Sequence, residues 1–270
     1  MNIHAGIAAM PYNSLKIFTM KKAMLIIFSF IIYPLNSGVS QEKISEVLII
    51  STVHGAHKTN PNYSYDSLFK FIEKFNPEII GVEVREEDID SSFTYLKNNY
   101  PYEMYECIKK YPSKSVLGFD WLGNELKGKA IPENYWKDIS AVKKLQTQLN
   151  TDTTILKKLS ILDIIRVEKN KLALNASLPE LNDGRYDLIN HIYYEQLKAL
   201  LKDSEFIALS DFYQQRDEHI ARNIIEIIKN NKGKRIIFLI GADHRGYTLK
   251  KVSDEFGNQI LLNNFIHLNK

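Results

Sequence analysis

The stretch EVLIIST at residues 46–52 is the natural starting point for the fold. It is short, apolar and rich in β-branched side chains, which is typical of a buried strand. Residues 63–75 then predict a helix, because their apolar side chains fall on one helical face. An Asn-Pro pair ends that helix, and EIIGVEV at residues 78–84 predicts a second apolar strand. This strand–helix–strand unit predicts that the two strands pair in parallel.

The rest of the sequence continues the same pattern. Residues 132–201 are helical in composition, with a break at residues 177–179, and further helices are predicted at 204–231 and 248–256. Strand patterns occur at residues 114–120, 234–240 and 259–262, of which the second is the clearest in the chain. We therefore expect an α/β fold with a central, largely parallel sheet flanked by helices, and a helical insertion or cap between two sheet-forming halves.

Residues 1–40 predict an N-terminal extension followed by a secretory signal peptide. Met20 begins a charged segment, residues 23–35 are almost continuously apolar, and small residues allow cleavage after Ser40. The apolar run is short for a membrane span, so no stable span is expected after cleavage. The alternative is an anchor helix that is retained without cleavage. The residues before Met20 resemble neither a signal nor a fold, which makes Met20 the predicted start. Residues 41–270 are predicted to be one exported domain, periplasmic or extracellular.

Charge and cysteine content narrow the function classes. Taking the three lysines of residues 1–40 from the 35 Lys and Arg residues leaves 32, which equals the number of acidic residues. A neutral exported chain has no electrostatic basis for a nucleic-acid partner. The single cysteine, Cys107, cannot form an intramolecular disulfide, so the fold must rest on its apolar core.

Three ionisable residues occur where a parallel sheet normally binds its ligands. His54 lies just beyond the first strand, Glu83 lies within the second, and His244 lies just past the clearest strand. A carboxylate in an apolar strand is costly unless it is paired, because burial disfavours its charge. Two histidines and a carboxylate suit a divalent metal with open positions for water and substrate. The alternative for each histidine is a turn or capping residue beside a strand.

Other polar residues are secondary candidates for the site. His57 lies in the loop beside His54, where it is either a supporting group of the site or a solvated side chain. Asp120 ends the third strand, where a role in the turn explains it equally. On the helix at 204–231, Arg216, His219 and Asn223 share a face, for which a solvated surface is the alternative. The secondary candidates are His57, Asp120, Asp217, His219 and Asp243.

The ordered motifs resemble those of the TraB/GumN superfamily, which includes Tiki-type and PrgY-like proteins. STVH at residues 51–54 resembles its Gly-Thr-x-His element, with Ser51 in place of the Gly, and GVE at 81–83 resembles its strand carrying Glu. Arg216-Asp217 resembles its helical Arg-Asn or Arg-Asp element, and GADH at 241–244 resembles its Gly-x-x-His. The Asn-Pro pair after His54 resembles an uncharacterised bacterial subgroup of the same class. Erythromycin esterases and ChaN-like haem-binding lipoproteins are more distantly similar.

This resemblance implies an exported hydrolase, in particular a peptidase, that depends on a divalent metal such as Mn²⁺, Co²⁺ or Zn²⁺. His54, Glu83 and His244 would lie at the metal or its bound water. Glu83 and Arg216 would be the catalytic residues, and Arg216 would stabilise an oxyanion or anchor a substrate carboxylate. The alternative is a non-catalytic binding or regulatory protein that holds a peptide, small ligand or haem in the same cleft. A metal-free, histidine-based esterase also stays open, although no Gly-x-Ser-x-Gly nucleophile motif occurs.

Overall fold

Five parallel strands form a central sheet in the computed structural model, which describes residues 43–263. In chain order the strands are β1 (Ser45–Thr52), β2 (Ile79–Val82), β3 (Ser115–Gly118), β4 (Arg235–Gly241) and β5 (Ile260–Asn263). Their spatial order is β3-β2-β4-β1-β5, and every neighbouring pair is parallel. The predicted α/β class with a parallel sheet flanked by helices is confirmed.

The predicted pairing of the first two strands is wrong, because β4 lies between them. At the carboxyl ends, the last residue pair between β1 and β4 is Thr52 with Gly241. The last pair between β2 and β4 is Val82 with Leu239. β4 is buried along almost its whole length, as are β1 and β2, and those two strands cover both of its edges. The two sheet-forming halves of the sequence therefore share one sheet, and the ends of β1, β4 and β2 lie side by side.

Ten α-helices occur within residues 43–263. They are α1 (Tyr65–Phe75), α2 (Phe93–Asn99), α3 (Tyr102–Lys110), α4 (Ala141–Thr151), α5 (Thr153–Leu159), α6 (Asp163–Asn175), α7 (Leu178–Leu181), α8 (Arg185–Leu201), α9 (Ile207–Asn230) and α10 (Ala242–Phe256). Short 3₁₀ turns lie at His54–Lys58, Glu86–Asp88, Asn124–Leu126, Ser160–Leu162 and Gly257–Gln259, and a π-helical turn lies at Tyr135–Ile139. The sequence patterns had not assigned α2 and α3, and α10 begins at Ala242 rather than at residue 248.

Capping residues fix several of these boundaries. Ser64 precedes α1, and its hydroxyl accepts the backbone N–H of Ser67. The predicted break at residues 177–179 is the start of α7, where the Glu180 carboxylate accepts the backbone N–H of Ser177 at 2.8 Å. The helical stretch between β3 and β4 is thus a series of short helices, α4 to α8, followed by the longer α9.

Alternating strand residues pack against different helices on the two faces of the sheet. On one face, Leu48, Ile80 and Ile237 belong to a buried cluster that includes residues of α1 and α3. On the other face, Ile49 and Phe238 belong to a cluster with residues of α9 and α10. Because both faces are covered, the carboxyl ends of the strands are the natural opening of the fold.

The helical insertion has a small apolar cluster of its own, formed by Leu149, Leu201, Phe206 and Leu209. Within residues 43–263, no helix combines the length and the apolar character needed to cross a bilayer. The signal peptide, its cleavage after Ser40 and the start at Met20 are predictions that lie outside the described residues.

Candidate active site

The carboxyl ends of four neighbouring strands bring the predicted site residues together. His54 lies two positions beyond the last residue of β1, and Glu83 directly follows the last residue of β2. Asp120 lies two positions beyond β3, and His244 lies in the first turn of α10, three positions beyond β4. Glu83 was predicted to lie within its strand. It lies just past the strand end, since Val82 forms the last backbone pairing and the chain then turns.

Glu83 and Asp120 are joined by the guanidinium of Arg216, which reaches them from α9. Nη2 of Arg216 donates to Oε1 of Glu83 at 2.6 Å, and Nε donates to Oδ1 of Asp120 at 2.9 Å. The backbone N–H of Gly241 donates to the second Glu83 oxygen at 2.6 Å. Burial opposes the charge of Glu83, but Arg216 and the nearby imidazoles leave its pKa lowered. Burial together with the Glu83 charge raises the pKa of Asp120 despite the same guanidinium.

His244 stands beside this network with its two ring nitrogens in different surroundings. Nδ1 lies 2.5 Å from Oδ1 of Asp217 on α9, and Nε2 lies 3.7 Å from Oε1 of Glu83. Burial and the charge of Arg216 lower the pKa of His244, but the two carboxylates outweigh them and the pKa is raised overall. Asp217, a secondary candidate, therefore joins the site as the residue that orients His244.

His54 is oriented in the same way by a residue that the sequence patterns missed. Its Nδ1 donates to Oε1 of Glu103 at 2.7 Å, and Glu103 is fully buried on α3. His54 itself has a left-handed backbone with φ of 48°, at the point where the chain leaves β1 for the 3₁₀ turn. Burial lowers the pKa of His54, but the hydrogen bond to Glu103 and the charge of Glu83 raise it overall. No motif pointed to Glu103, because only packing of α3 beside the first turn brings it there.

His57 holds the turn that carries His54 and does not line the cleft. Its Nδ1 donates to the Tyr63 carbonyl at 2.8 Å, and its Nε2 accepts the Val53 backbone N–H at 3.1 Å. Both ring nitrogens are thus used by the backbone, and burial lowers the pKa of the ring. Of the two roles open to it from the sequence, the supporting one describes its contacts, because the ring is buried rather than solvated.

Asp243 and His219 point away from the cleft. Asp243 accepts hydrogen bonds from the hydroxyls of Tyr186 at 2.6 Å and Tyr194 at 3.0 Å, and it pairs with Lys169 of α6 at 3.0 Å. Burial opposes its charge, yet Lys169 and Tyr186 leave the pKa of Asp243 lowered. These contacts attach the helical insertion to α10 beside the site.

The helical face shared by Arg216, His219 and Asn223 packs against the segment directly after β3. His219 stacks on the Trp121 ring with centroids 4.2 Å apart, and the Asn223 amide donates to the Phe119 carbonyl at 3.0 Å. The face is therefore half-buried, and each of its three side chains contacts the segment after β3. Only Arg216 of the three enters the cleft, while the other two fix the position of α9.

Five of the predicted site residues line a cavity of about 210 Å³. Its walls are formed by His54, Glu83, Asn99, Tyr100, Pro101, Asp120, Leu122, Trp136, Arg216 and His244. The segment 99–101 between α2 and α3, and Trp136 in the π-helical turn, had no signal in the sequence. They reach the cleft because their elements fold over the end of the sheet.

The site residues fit the predicted divalent metal only in part. His54 and His244 fit, since each has its Nδ1 held by a carboxylate, which is the arrangement typical of metal-binding imidazoles, and Nε2 of His244 lies 3.7 Å from Oε1 of Glu83. The four carboxylates of the group also outnumber its one guanidinium. Glu83 fits poorly, because its oxygens already accept from Arg216 and Gly241. Within residues 43–263 no three side chains of His, Cys, Asp or Glu are arranged as a metal cluster. Two of the three predicted ligands are available, and metal dependence stays a prediction.

The comparisons with known proteins give the site no further identity. No protein-family model, curated protein or solved structure matches the chain. Membership of the TraB/GumN superfamily therefore stays a prediction that rests on the order and residue types of the motifs.

Proposed function

We propose that the protein is a hydrolase that cleaves an ester or amide bond in the cleft of His54, Glu83, Arg216 and His244. The observation that carries the proposal is the matched pair of histidines. Each has Nδ1 fixed by a carboxylate, Glu103 or Asp217, and each leaves Nε2 for chemistry. A neutral imidazole that accepts a proton and a protonated one that donates a proton are what general acid–base catalysis of acyl transfer to water uses.

His54 suits the role of general base. Its side chain is 41% exposed at the mouth of the cleft, and its hydrogen bond to Glu103 selects the tautomer with a free lone pair on Nε2. From there it takes a proton from water as the water oxygen adds to the carbonyl carbon. Glu103 is a positioning residue in this scheme, comparable to the carboxylate of other histidine-based hydrolytic sites.

Arg216 and His244 serve the other half of the reaction. The guanidinium of Arg216 is held by Glu83 and Asp120 and lines the cleft, where it stabilises the negative charge that develops on the carbonyl oxygen. Protonated His244 donates its proton to the departing oxygen or nitrogen as the bond to the carbonyl carbon breaks. In a metal-dependent form, His54 and His244 would instead hold a divalent cation, which would supply the activated water and the polarised carbonyl in place of the free base and acid.

The pKa directions predict the pH dependence of this reaction. His54 acts when neutral and His244 acts when protonated, and the pKa of both is raised above 6.5. The rate therefore rises with pH through the pKa of His54 and falls as His244 loses its proton, which gives a bell-shaped profile. Both limbs should lie on the alkaline side of an ordinary histidine.

The decisive experiment assays the purified chain against p-nitrophenyl esters and a peptide pool, with chelator and with added Mn²⁺, Co²⁺ or Zn²⁺. Replacing His54 or His244 by Gln should lower kcat/KM by about 10²–10⁴-fold. The matched control is His219→Gln, on the same helix face as Arg216 but outside the cleft, which should keep its activity.

The outcomes separate the alternatives. Hydrolysis that chelator abolishes and a metal restores supports the metal-dependent form, and cleavage of peptides supports a peptidase. Hydrolysis that survives chelation supports the metal-free form. The proposal is overturned if no hydrolysis occurs under any condition, or if the His54 and His244 variants are as active as the unsubstituted protein. In that case, retention of a ligand without turnover supports a binding protein.

A further inference from the structure

The helical insertion carries a row of exposed aliphatic side chains. Ile161 lies in the 3₁₀ turn before α6 and is 71% exposed, while Ile164 and Val167 of α6 are 73% and 51% exposed. Leu174, near the end of α6, is 44% exposed. Aliphatic side chains of this size are usually buried, and a group of exposed ones marks a surface that binds a partner or a membrane. We call these four residues the aliphatic stripe.

The aliphatic stripe lies on one side of its helix. Its members are three, three and seven residues apart, a spacing that places side chains above one another on an α-helix. The other side of α6 faces the domain, where Lys169 is buried, donates to the Asn190 side chain of α8 and pairs with Asp243 at 3.0 Å. The fold therefore uses one side of α6 and leaves the aliphatic stripe exposed.

Lysines stand at both ends of the aliphatic stripe. Lys157 precedes Ile161 by four positions, and Lys171 follows Val167 by four, so both lysines lie on the same side of the helical segment as the stripe. Both are exposed.

The exposed charges of residues 153–175 are mainly positive. Four basic residues stand against two acidic ones, an excess of two in a chain whose residues 41–270 are neutral: Lys157, Lys158, Arg166 and Lys171 against Asp163 and Glu168. Asp163 pairs with Arg166 at 2.7 Å. Glu168 pairs with Lys171 at 2.8 Å. The acidic groups are thus neutralised within the helix, and Lys157 and Lys158 supply the excess.

This combination fits an anionic lipid surface better than a second copy of the chain. At a bilayer, aliphatic side chains enter the acyl region while lysine ammonium groups stay among the phosphates, because the apolar stems of lysines span the boundary. Two copies packed antiparallel through Ile164 would instead bring Lys157 of one copy beside Lys171 of the other, since each lies seven residues from Ile164. Like charges side by side at an interface are unfavourable.

We propose that α6 and the turn before it bind the surface of a membrane that contains anionic phospholipids. The aliphatic stripe enters the outermost acyl region, and Lys157, Lys158 and Lys171 bind lipid phosphates. The helix lies along the surface and does not cross it. The inference does not depend on the proposed hydrolase activity.

A fluorophore placed on the aliphatic stripe tests the proposal in the full chain. Cys107 is fully buried, so an NBD label attaches selectively to Ile164→Cys or, as the matched control, to Asn258→Cys in the exposed turn before β5. With vesicles of equimolar brominated phosphatidylcholine and phosphatidylglycerol, the label at position 164 should shift its emission to shorter wavelength and be quenched. The label at position 258 should do neither. The apolar run at residues 23–35 would bring the chain to a vesicle by itself, so the readout has to be local to α6.

A charge on the aliphatic stripe should weaken the binding. Ile161→Glu should raise the lipid concentration that gives half-maximal quenching at position 164 by about tenfold or more, which corresponds to losing the burial of one isoleucine side chain. Asn258→Glu adds the same charge away from the stripe and should leave that concentration unchanged. Raising the salt concentration from about 0.1 M to about 0.5 M should weaken the binding, because salt screens the attraction between lysines and lipid phosphates.

The outcomes are decisive in either direction. No quenching at position 164, or equal quenching at both positions, would overturn the proposal. A dimer that Ile161→Glu converts to a monomer in light scattering, with no quenching by vesicles, would also overturn it, because the stripe would then be an interface between copies. Equal affinity for vesicles that lack phosphatidylglycerol would overturn the role assigned to the lysines.

Discussion

Gly241 offers the sharpest test of the site geometry. It lies where β4 meets α10, and its φ of −54° and ψ of 135° are values that alanine adopts freely. A Cβ at this position would lie 2.9 Å from Nε2 of His54 and 3.1 Å from Oε2 of Glu83. Non-bonded heavy atoms prefer about 3.5–4.0 Å, so Gly241→Ala would displace each group by roughly 0.5 Å.

The expected effect is large for function and small for stability. His54 cannot move freely, because Glu103 holds its Nδ1 at 2.7 Å. Since misplacing a reacting group by about 1 Å costs on the order of 10²-fold, we expect kcat/KM to fall by about tenfold. Crowding of a core costs about 1–3 kcal/mol, and the half-exposed imidazole should keep the loss of unfolding free energy near the lower value. Urea unfolding and the imidazole ¹⁵N shifts of His54 measure the change without relying on an activity.

Gly55 provides the matched control, since it is the residue after His54. A Cβ at Gly55 would meet no atom within 4 Å among the described residues outside its own chain neighbours. Gly55→Ala should change the unfolding free energy by less than about 0.5 kcal/mol and leave kcat/KM unaltered. If Gly241→Ala kept the wild-type rate and the wild-type His54 resonances, the reasoning that Gly241 lies directly against His54 and Glu83 would be refuted.

Two further substitutions test the charges around the histidines. Glu103→Gln removes the carboxylate that raises the pKa of His54, so the acid limb of the pH–rate profile should move to lower pH. We also expect kcat to fall by about 10²-fold or more. If the acid limb did not move, it would belong to the titration of another group. Arg216→Met leaves Glu83 buried without its cation and should cost ~3–5 kcal/mol of unfolding free energy at neutral pH. Without the guanidinium, the folded-state pKa of Glu83 rises above its unfolded value, so the loss of unfolding free energy should shrink as the pH is lowered. Urea titrations at several pH values measure this loss. A loss that grew on acidification would contradict the pairing of Arg216 with Glu83.

The sequence alone determined the five strands, several of the helices and the chemical types at the strand ends. Apolar β-branched runs predicted each of the five strands, since such runs are stable only when buried in a sheet. The positions of His54 and His244 after those runs, and of Glu83 within one of them, predicted one shared cleft, because parallel strands end at the same edge. The helical spacing of Arg216, His219 and Asn223 likewise predicted their common face, which the contacts after β3 confirm.

Strand order and the residues around the cleft were decided only by the tertiary structure. The position of β4 between β1 and β2 depends on which faces the helices cover, and no local pattern encodes it. Glu103 is far from His54 in the sequence and meets it because α3 packs beside the first turn. Whether Arg216 reached Glu83 or solvent depended on the placement of α9. Periodicity acts over neighbouring residues, whereas these contacts join distant segments through packing, so the sequence predicted the participants and the fold fixed their partners.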